Sequence, residues 1–187
     1  MNNYLSNPLE FLIQTLCGLY ILAVMLRFLL QWVKADFYNP VSQFLVKITN
    51  PPLRPLRRFI PGLAGIDLAS VVLLIALQMI TLLLVFGVRG VTPGIGALLL
   101  LSIAELVSLL LNVFLVTIFI QVILSWVNPG QYNPVTSLLY SLNRPLLEPA
   151  QKIVPPIGGI DLSPLVVIVG IQLAKMLILP PLYSLAN

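Results

Sequence analysis

A chain of 187 residues that is 59% hydrophobic and 9% charged, with a mean hydropathy of +1.03, lies outside the range of soluble domains and reads as an all-α multi-spanning membrane protein. Ten basic and six acidic residues leave a net charge of +4, too sparse for a nucleic-acid surface. The absence of His excludes a His-based triad and His-ligated metals, and Cys17, the one cysteine, sits in an apolar run, so no intramolecular disulfide, thiolate metal site or cofactor is expected.

The first apolar run covers residues 9–33. At 1.5 Å per residue it reaches roughly 37 Å, enough to cross a ~30 Å hydrocarbon core with tilt. No Lys or Arg precedes it and it is too long for a cleavable signal, so it reads as a retained span with Trp32 at the headgroups. Residues 36–61 are too polar and proline-rich to span. Asn39-Pro40 predicts an N-cap and first helical position, and a short helix over 40–48 places Val41, Phe44, Leu45 and Ile48 on one face, as in an interfacial amphipathic helix. Pro51-Pro52 is expected to stop it. Arg54, Arg57 and Arg58 then alternate with apolar residues before Pro61-Gly62 turns the chain, and Asp67 stands where an N-cap belongs.

A second span is predicted over 68–88 and a short connection over 89–96. The next apolar run reaches Val127; its crossing part is assigned to 103–127, with 96–102 as a helical extension at the outer interface. Asn133-Pro134 then caps another loop helix to about residue 142, a proline-rich turn follows, Asp161 caps, and a last span over 162–179 is expected to end at Pro180-Pro181.

The second half repeats the first. Residues 30–72 and 124–166 align without a gap at an offset of 94 and are identical at 17 of 43 positions. The chain therefore divides into two repeats, 1–94 and 95–187, each a helical hairpin of two spans with an amphipathic loop helix at the interface. Two crossings per repeat make the repeats parallel. Seven basic residues (Lys34, Lys47, Arg54, Arg57, Arg58, Arg144, Lys152) lie on the side of the two long loops and Arg89 alone on the other, which predicts cytoplasmic loops and outer termini in a cell inner (plasma) membrane.

Several polar residues carry competing readings. Asp67 and Asp161 are helix caps or, less simply, paired carboxylates of an ion path. Arg54, Arg57 and Arg58 either hold anionic headgroups or merely set the topology. Arg27, five residues before Trp32, is expected to snorkel. Glu10 and Glu105 fall near the outer boundary. Lys175 and Asn112 lie at one depth, about 21 Å from the cytoplasmic side, and are candidate partners; Lys175 reaching Glu105, or snorkelling unaided, are the alternatives. Gln78 and Gln172 correspond across the repeats near mid-bilayer, where an amide usually bonds a neighbouring helix.

Two copies of W-x6-N-P, P-x-L-x-P-x-x-R/K-x-x-P and G-I-D-L between apolar spans resemble the YggT (YlmG) family with two YGGT repeats. The residues that carry the resemblance are Trp32, Asn39, Pro40, Pro51, Leu53, Pro55, Arg58, Pro61, Gly65 and Asp67, then Trp126, Asn133, Pro134, Pro145, Leu147, Pro149, Lys152, Pro155, Gly159 and Asp161. Lys152 replaces Arg58, and Glu148 and Gln151 replace Arg54 and Arg57, so an anionic partner should prefer the first loop. The resemblance implies no catalytic residue; it implies links to osmotic stress tolerance, potassium uptake, cell division and, in chloroplast relatives, membrane organisation and cytochrome assembly. The expected function is that of a non-enzymatic scaffold or assembly factor acting on membrane lipids, anionic ones included, or on membrane and division proteins. The alternative is a component of potassium or osmolyte transport, acting as a homo-oligomer.

Overall fold

The computed structural model of the chain describes residues 3–63, 65–127, 133–154 and 161–186. Among them are six helices: α1 (Asn3–Trp32), α2 (Pro40–Phe59), α3 (Leu68–Arg89), α4 (Ile95–Val127), α5 (Pro134–Ile153) and α6 (Ser163–Leu185). Four segments, Ser6–Trp32, Leu68–Arg89, Ile95–Val127 and Ser163–Leu185, are long and apolar enough to cross a membrane. The chain is an all-α, multi-pass membrane protein. Its outward positions on these helices are apolar, such as Leu19, Leu83, Val116 and Leu177, as a hydrocarbon solvent demands.

α1 packs on α3 and α4 on α6, each pair antiparallel, and α3 packs on α4 across the short connection at residues 90–94. Gly90 makes that turn at φ 72, the left-handed conformation that favours glycine, and its N–H returns to the Gly87 and Phe86 carbonyls. α2 lies against α1 and α3, α5 against α4 and α6, and α2 meets α5 where the Asn39 side-chain amide donates to the Pro134 carbonyl at 2.6 Å. One apolar core runs through the bundle and includes Ile21, Val24 and Leu29 of α1, Leu53 of α2, Leu73 of α3, Ile118 of α4 and Leu142 of α5.

α1 ends in a Schellman turn. The Ala35 N–H bonds the Leu30 carbonyl (2.9 Å) and the Lys34 N–H bonds the Gln31 carbonyl (3.1 Å), which puts Lys34 at the left-handed position with φ 54. Glycine is the usual occupant there, because a side chain in that conformation is disfavoured.

Three expectations from the sequence are corrected. The loop helices do not stop at their prolines: α2 continues through Pro51, Pro52 and Pro55 to Phe59, α5 through Pro145 and Pro149 to Ile153, and α6 through Pro180 and Pro181 to Leu185. An interior proline costs a helix ~3 kcal/mol by removing an N–H and crowding the carbonyl four residues back, so something must offset it. Packing does so in α2 and α5, where Leu53 and Leu147 beyond the first prolines are buried. In α6 the last turn is tied down by the Tyr183 hydroxyl, which donates to Glu105 at 3.1 Å. Secondly, the face that α2 turns to the protein is shifted from the expected one: Leu45 is buried and Ile48 half-buried against the core as expected, but Val41 and Phe44 point outward and Ser42, Thr49 and Leu53 are buried. Thirdly, Arg27 does not snorkel. It is buried between α1 and α2, where its Nη1 donates to the Thr49 hydroxyl at 2.9 Å.

Pro52 has a specific remedy. Its missing N–H would have served the Ile48 carbonyl, and that carbonyl instead accepts the Tyr20 hydroxyl at 3.3 Å. The positions 94 residues on are Leu146, Leu142 and Phe114: the donor N–H is present there, and the hydroxyl is absent. Tyr20→Phe should therefore lower stability by about 1 kcal/mol in thermal unfolding in one mild detergent, and by distinctly less in a Pro52→Leu background. Equal losses in the two backgrounds would disconnect the hydroxyl from the proline.

Candidate functional site

The loop end of α1, α2 and α3 concentrates the polar groups. α2 begins at Asn39, whose Oδ1 accepts the Val41 N–H at 3.0 Å, and Pro40 follows at the first helical position. The helix then carries Thr49 to Arg27 and Arg57 to Asp67. Arg57 Nη2 bridges the Gln31 side chain (3.1 Å) and the Asp67 carboxylate, which also accepts the Ser70 hydroxyl at 2.6 Å. Asp67 stands at the N-cap position of α3, yet its carboxylate makes no capping bond to the helix; it holds Arg57 and Ser70 instead. Burial pushes the Asp67 carboxyl up, but the hydrogen bonds from Arg57 and Ser70 and the Arg57 charge outweigh that and leave it below the usual carboxylate range. A lowered carboxylate stabilises the fold above its unfolded value, and that stabilisation is lost as pH falls through the folded one.

The same contacts recur 94 residues on, with a neutral group in place of each cation. Gln151 donates to Asp161 (2.9 Å) where Arg57 meets Asp67, and Asp161 also accepts the Ser163 N–H (2.9 Å) at the start of α6. Burial raises the Asp161 carboxyl and the bonds from Ser163 and Gln151 lower it further than that, so the net shift is downward. Asn143 donates to Gln121 (2.8 Å) and accepts from Thr117 (2.8 Å) where Thr49 meets Arg27. At the opposite end Arg89 grips Glu10 through Nε (3.1 Å) and Nη2 (2.7 Å), and Tyr183, the counterpart of Arg89, holds Glu105. Asn133 caps α5 in a reciprocal capping box with Thr136.

The remaining candidates are dispersed. Arg54, Arg58, Lys152, Pro55, Pro61 and Pro149 are exposed at the loop end, as are Trp32 and Trp126 at the ends of α1 and α4; Pro155 lies outside the described residues. Lys175 donates to Asn112 at 2.6 Å, tying α6 to α4, while Glu105 takes Tyr183 rather than Lys175. Gln172 is exposed and makes no hydrogen bond among the described residues. Gln78 is half-buried beside Gln14, Gly18, Thr81 and Glu105 around a cavity of about 400 Å³. A second cavity, about 330 Å³, opens between α1 and α2 at Arg27, Lys34, Ser42 and Arg57. Among the described residues no three His, Cys, Asp or Glu gather as a metal site.

Arg27 with Thr49 and Gln121 with Asn143 were the contacts hardest to anticipate. Their signal lay in the duplication: both positions are polar in both copies, within or just before the aligned stretch, although the residue types differ.

The CCB3/YggT family model matches the chain at residues 6–88 and again at 100–182. An uncharacterised protein of Pseudomonas aeruginosa is 48% identical over 185 residues, covering 98% of this chain and 94% of the relative. A protein of Vibrio alginolyticus, described as lying in the proC 3′ region, is 41% identical over 174 residues, 91% of this chain and 93% of its own. The protein YggT of Escherichia coli K12 is 37% identical over 181 residues, 97% and 94% of the two chains. No solved structure matches. With the family model spanning nearly all of both halves and relatives of this identity aligned end to end, the chain belongs to the CCB3/YggT family.

Proposed function

We propose that the chain is a non-enzymatic scaffold or assembly factor of the cell inner membrane. It consists of two parallel hairpin repeats, 1–94 and 95–187, whose amphipathic loop helices lie at the cytoplasmic interface and whose termini face outward. Its loop end gathers lipids or partner membrane and division proteins. The observation that carries the reading is the use made of the embedded polar groups: Glu10 with Arg89, Glu105 with Tyr183 and Asn112 with Lys175 each join one helix of a hairpin to the other. Groups committed to helix pairs in this way hold a shape. The free display is at the loop end instead, where Lys47, Arg54 and Arg58 alternate with exposed Phe44 and Phe59. Cations and aromatic rings in that arrangement suit an anionic, partly apolar surface.

One observation favours the transport alternative. The cavity at Gln14, Gln78, Thr81 and Glu105 sets polar groups from α1, α3 and α4 around a single space at the level of the spans.

Topology and role are tested separately. With Cys17 changed to Ser, a cysteine at Thr92 should react with a membrane-impermeant maleimide on intact cells, and one at Gln43 only after permeabilisation; reaction of the Gln43 site from outside would invert the orientation. For the role, Gln172→Leu, which breaks no hydrogen bond among the described residues, and Lys175→Met combined with Asn112→Leu, which removes both partners of that tie together, should accumulate normally and restore growth of a strain lacking the protein under osmotic stress. Asn39→Ala, which removes a helix cap worth ~1 kcal/mol and the tie to Pro134, should restore it less well. Normal accumulation of the two span variants without restored growth would remove the scaffold reading.

A further inference from the structure

The cavity between α1 and α2 holds an unbalanced charge. Its charged lining residues, Arg27, Lys34 and Arg57, are all cations, set among the apolar walls of Leu30, Leu45 and Val46. Arg27 is buried, and its hydrogen-bond partner is a hydroxyl, the Thr49 Oγ1, whose own proton goes to the Leu45 carbonyl at 2.6 Å. Of the carboxylates at the loop end, Asp67 is held by Arg57 and Ser70, Glu148 by Arg144 and Asp161 by Gln151 and Ser163, while Asp36, exposed, accepts the Tyr38 N–H. With Asp67 counted against Arg57, neither Arg27 nor Lys34 has an ion-pair partner among the described residues. A buried cation without one is costly.

Two further features point into the same space. Ser42 also lines the cavity, and its buried Oγ has no hydrogen-bond partner. Lys34 occupies the left-handed position that glycine would fill at less cost, which brings a flexible ammonium to the rim where a structural turn needs no side chain.

We propose that this cavity binds a phosphate group, that of an anionic phospholipid, with Arg27, Lys34 and the Ser42 hydroxyl as its ligands. The volume, about 330 Å³, is within the range of small-ligand sites. Arg27 lies five residues inside the Trp32 end of α1, about 7.5 Å along the helix axis, so the site is at headgroup depth. The apolar walls favour a lipid over a free ion. Past Phe37 and Val46 the surface continues into a groove that carries Lys47 and Arg54, which favours a net-negative headgroup over a zwitterion whose ammonium would meet those cations. In the second half Gln121 and Asn143 replace Arg27 and Thr49 and bond each other, so the buried cation has no counterpart there. The inference deepens the reading of the loop end as a lipid-gathering surface, but it is tested on purified protein and so fails independently of growth assays.

Native mass spectrometry of the full chain, released from mixed micelles of phosphatidylglycerol and phosphatidylethanolamine, counts the lipid retained. Wild type should keep phosphatidylglycerol in preference. Lys34→Gly should weaken that retention about fivefold, the effect of one cation near an anionic headgroup, while leaving the unfolding temperature unchanged or higher. A turn-forming role would move that temperature the other way. Arg27→Gln with Thr49→Asn, which installs the pair found in the second half, should also lose the lipid and remain folded. Retention unchanged in both variants overturns the proposal. Displacement of phosphatidylglycerol by millimolar inorganic phosphate, with phosphate then retained in its place, overturns the lipid as the source of the phosphate.

Discussion

Hydrocarbon offers no hydrogen bonds, so a polar side chain below the headgroups is favoured by a partner within the protein or by reaching the interface, although Gln78 and Gln172 make no hydrogen bond among the described residues. That constraint organises the molecule. At one end Arg89 closes on Glu10 and Tyr183 on Glu105; at the other Arg57 closes on Asp67 and Gln151 on Asp161, while Arg27 with Thr49 and Gln121 with Asn143 fasten each loop helix to the helix before it. Between these levels the interface is mostly apolar packing, which in lipid gains little from water exclusion and depends on close fit, with Lys175 bonded to Asn112 as a polar tie across α4 and α6. The ties therefore set the register of α1 on α3 and of α4 on α6.

Equivalent geometry is achieved with different electrostatics in the two halves. Each first-half tie uses an Arg; its counterpart uses Gln or Tyr. Of these counterparts only Gln121 with Asn143 is neutral on both sides; Gln151 and Tyr183 hold a carboxylate without a cation. The first half accordingly carries a positive field at its loop end that the second does not, and the cationic cavity and the exposed Arg54 and Arg58 are on that side. The two halves share a frame and differ in what they can attract.

Much of this was legible in the sequence because hydropathy and duplication are global signals. Spans near 9–33, 68–88 and 103–127 lie within α1, α3 and α4 with at most a residue of overhang, and the helical extension before residue 103 is present as the first turns of α4. The asparagine caps at 39 and 133 followed from their place before a proline. Local rules misled where tertiary contacts overrode them. Pro51-Pro52 and Pro180-Pro181 read as stops, yet buried Leu53, the Tyr20 hydroxyl and the Tyr183 tie continue the helices through them. Asp67 occupies the N-cap position read for it, but nothing local showed that Arg57, ten residues earlier, would turn back to its carboxylate. Arg27 read as a snorkelling side chain because depth alone cannot reveal that α2 folds over it.

Whether the embedded polar groups hold a shape or pass an ion is decided most directly by potassium flux in liposomes reconstituted with the purified chain. A scaffold predicts flux equal to that of protein-free vesicles at every protein density, with Glu105→Gln indistinguishable from wild type. Flux that rises with the amount of wild-type protein and is lost in Glu105→Gln would contradict that account and make the cavity at Gln14, Gln78, Thr81 and Glu105 an ion site.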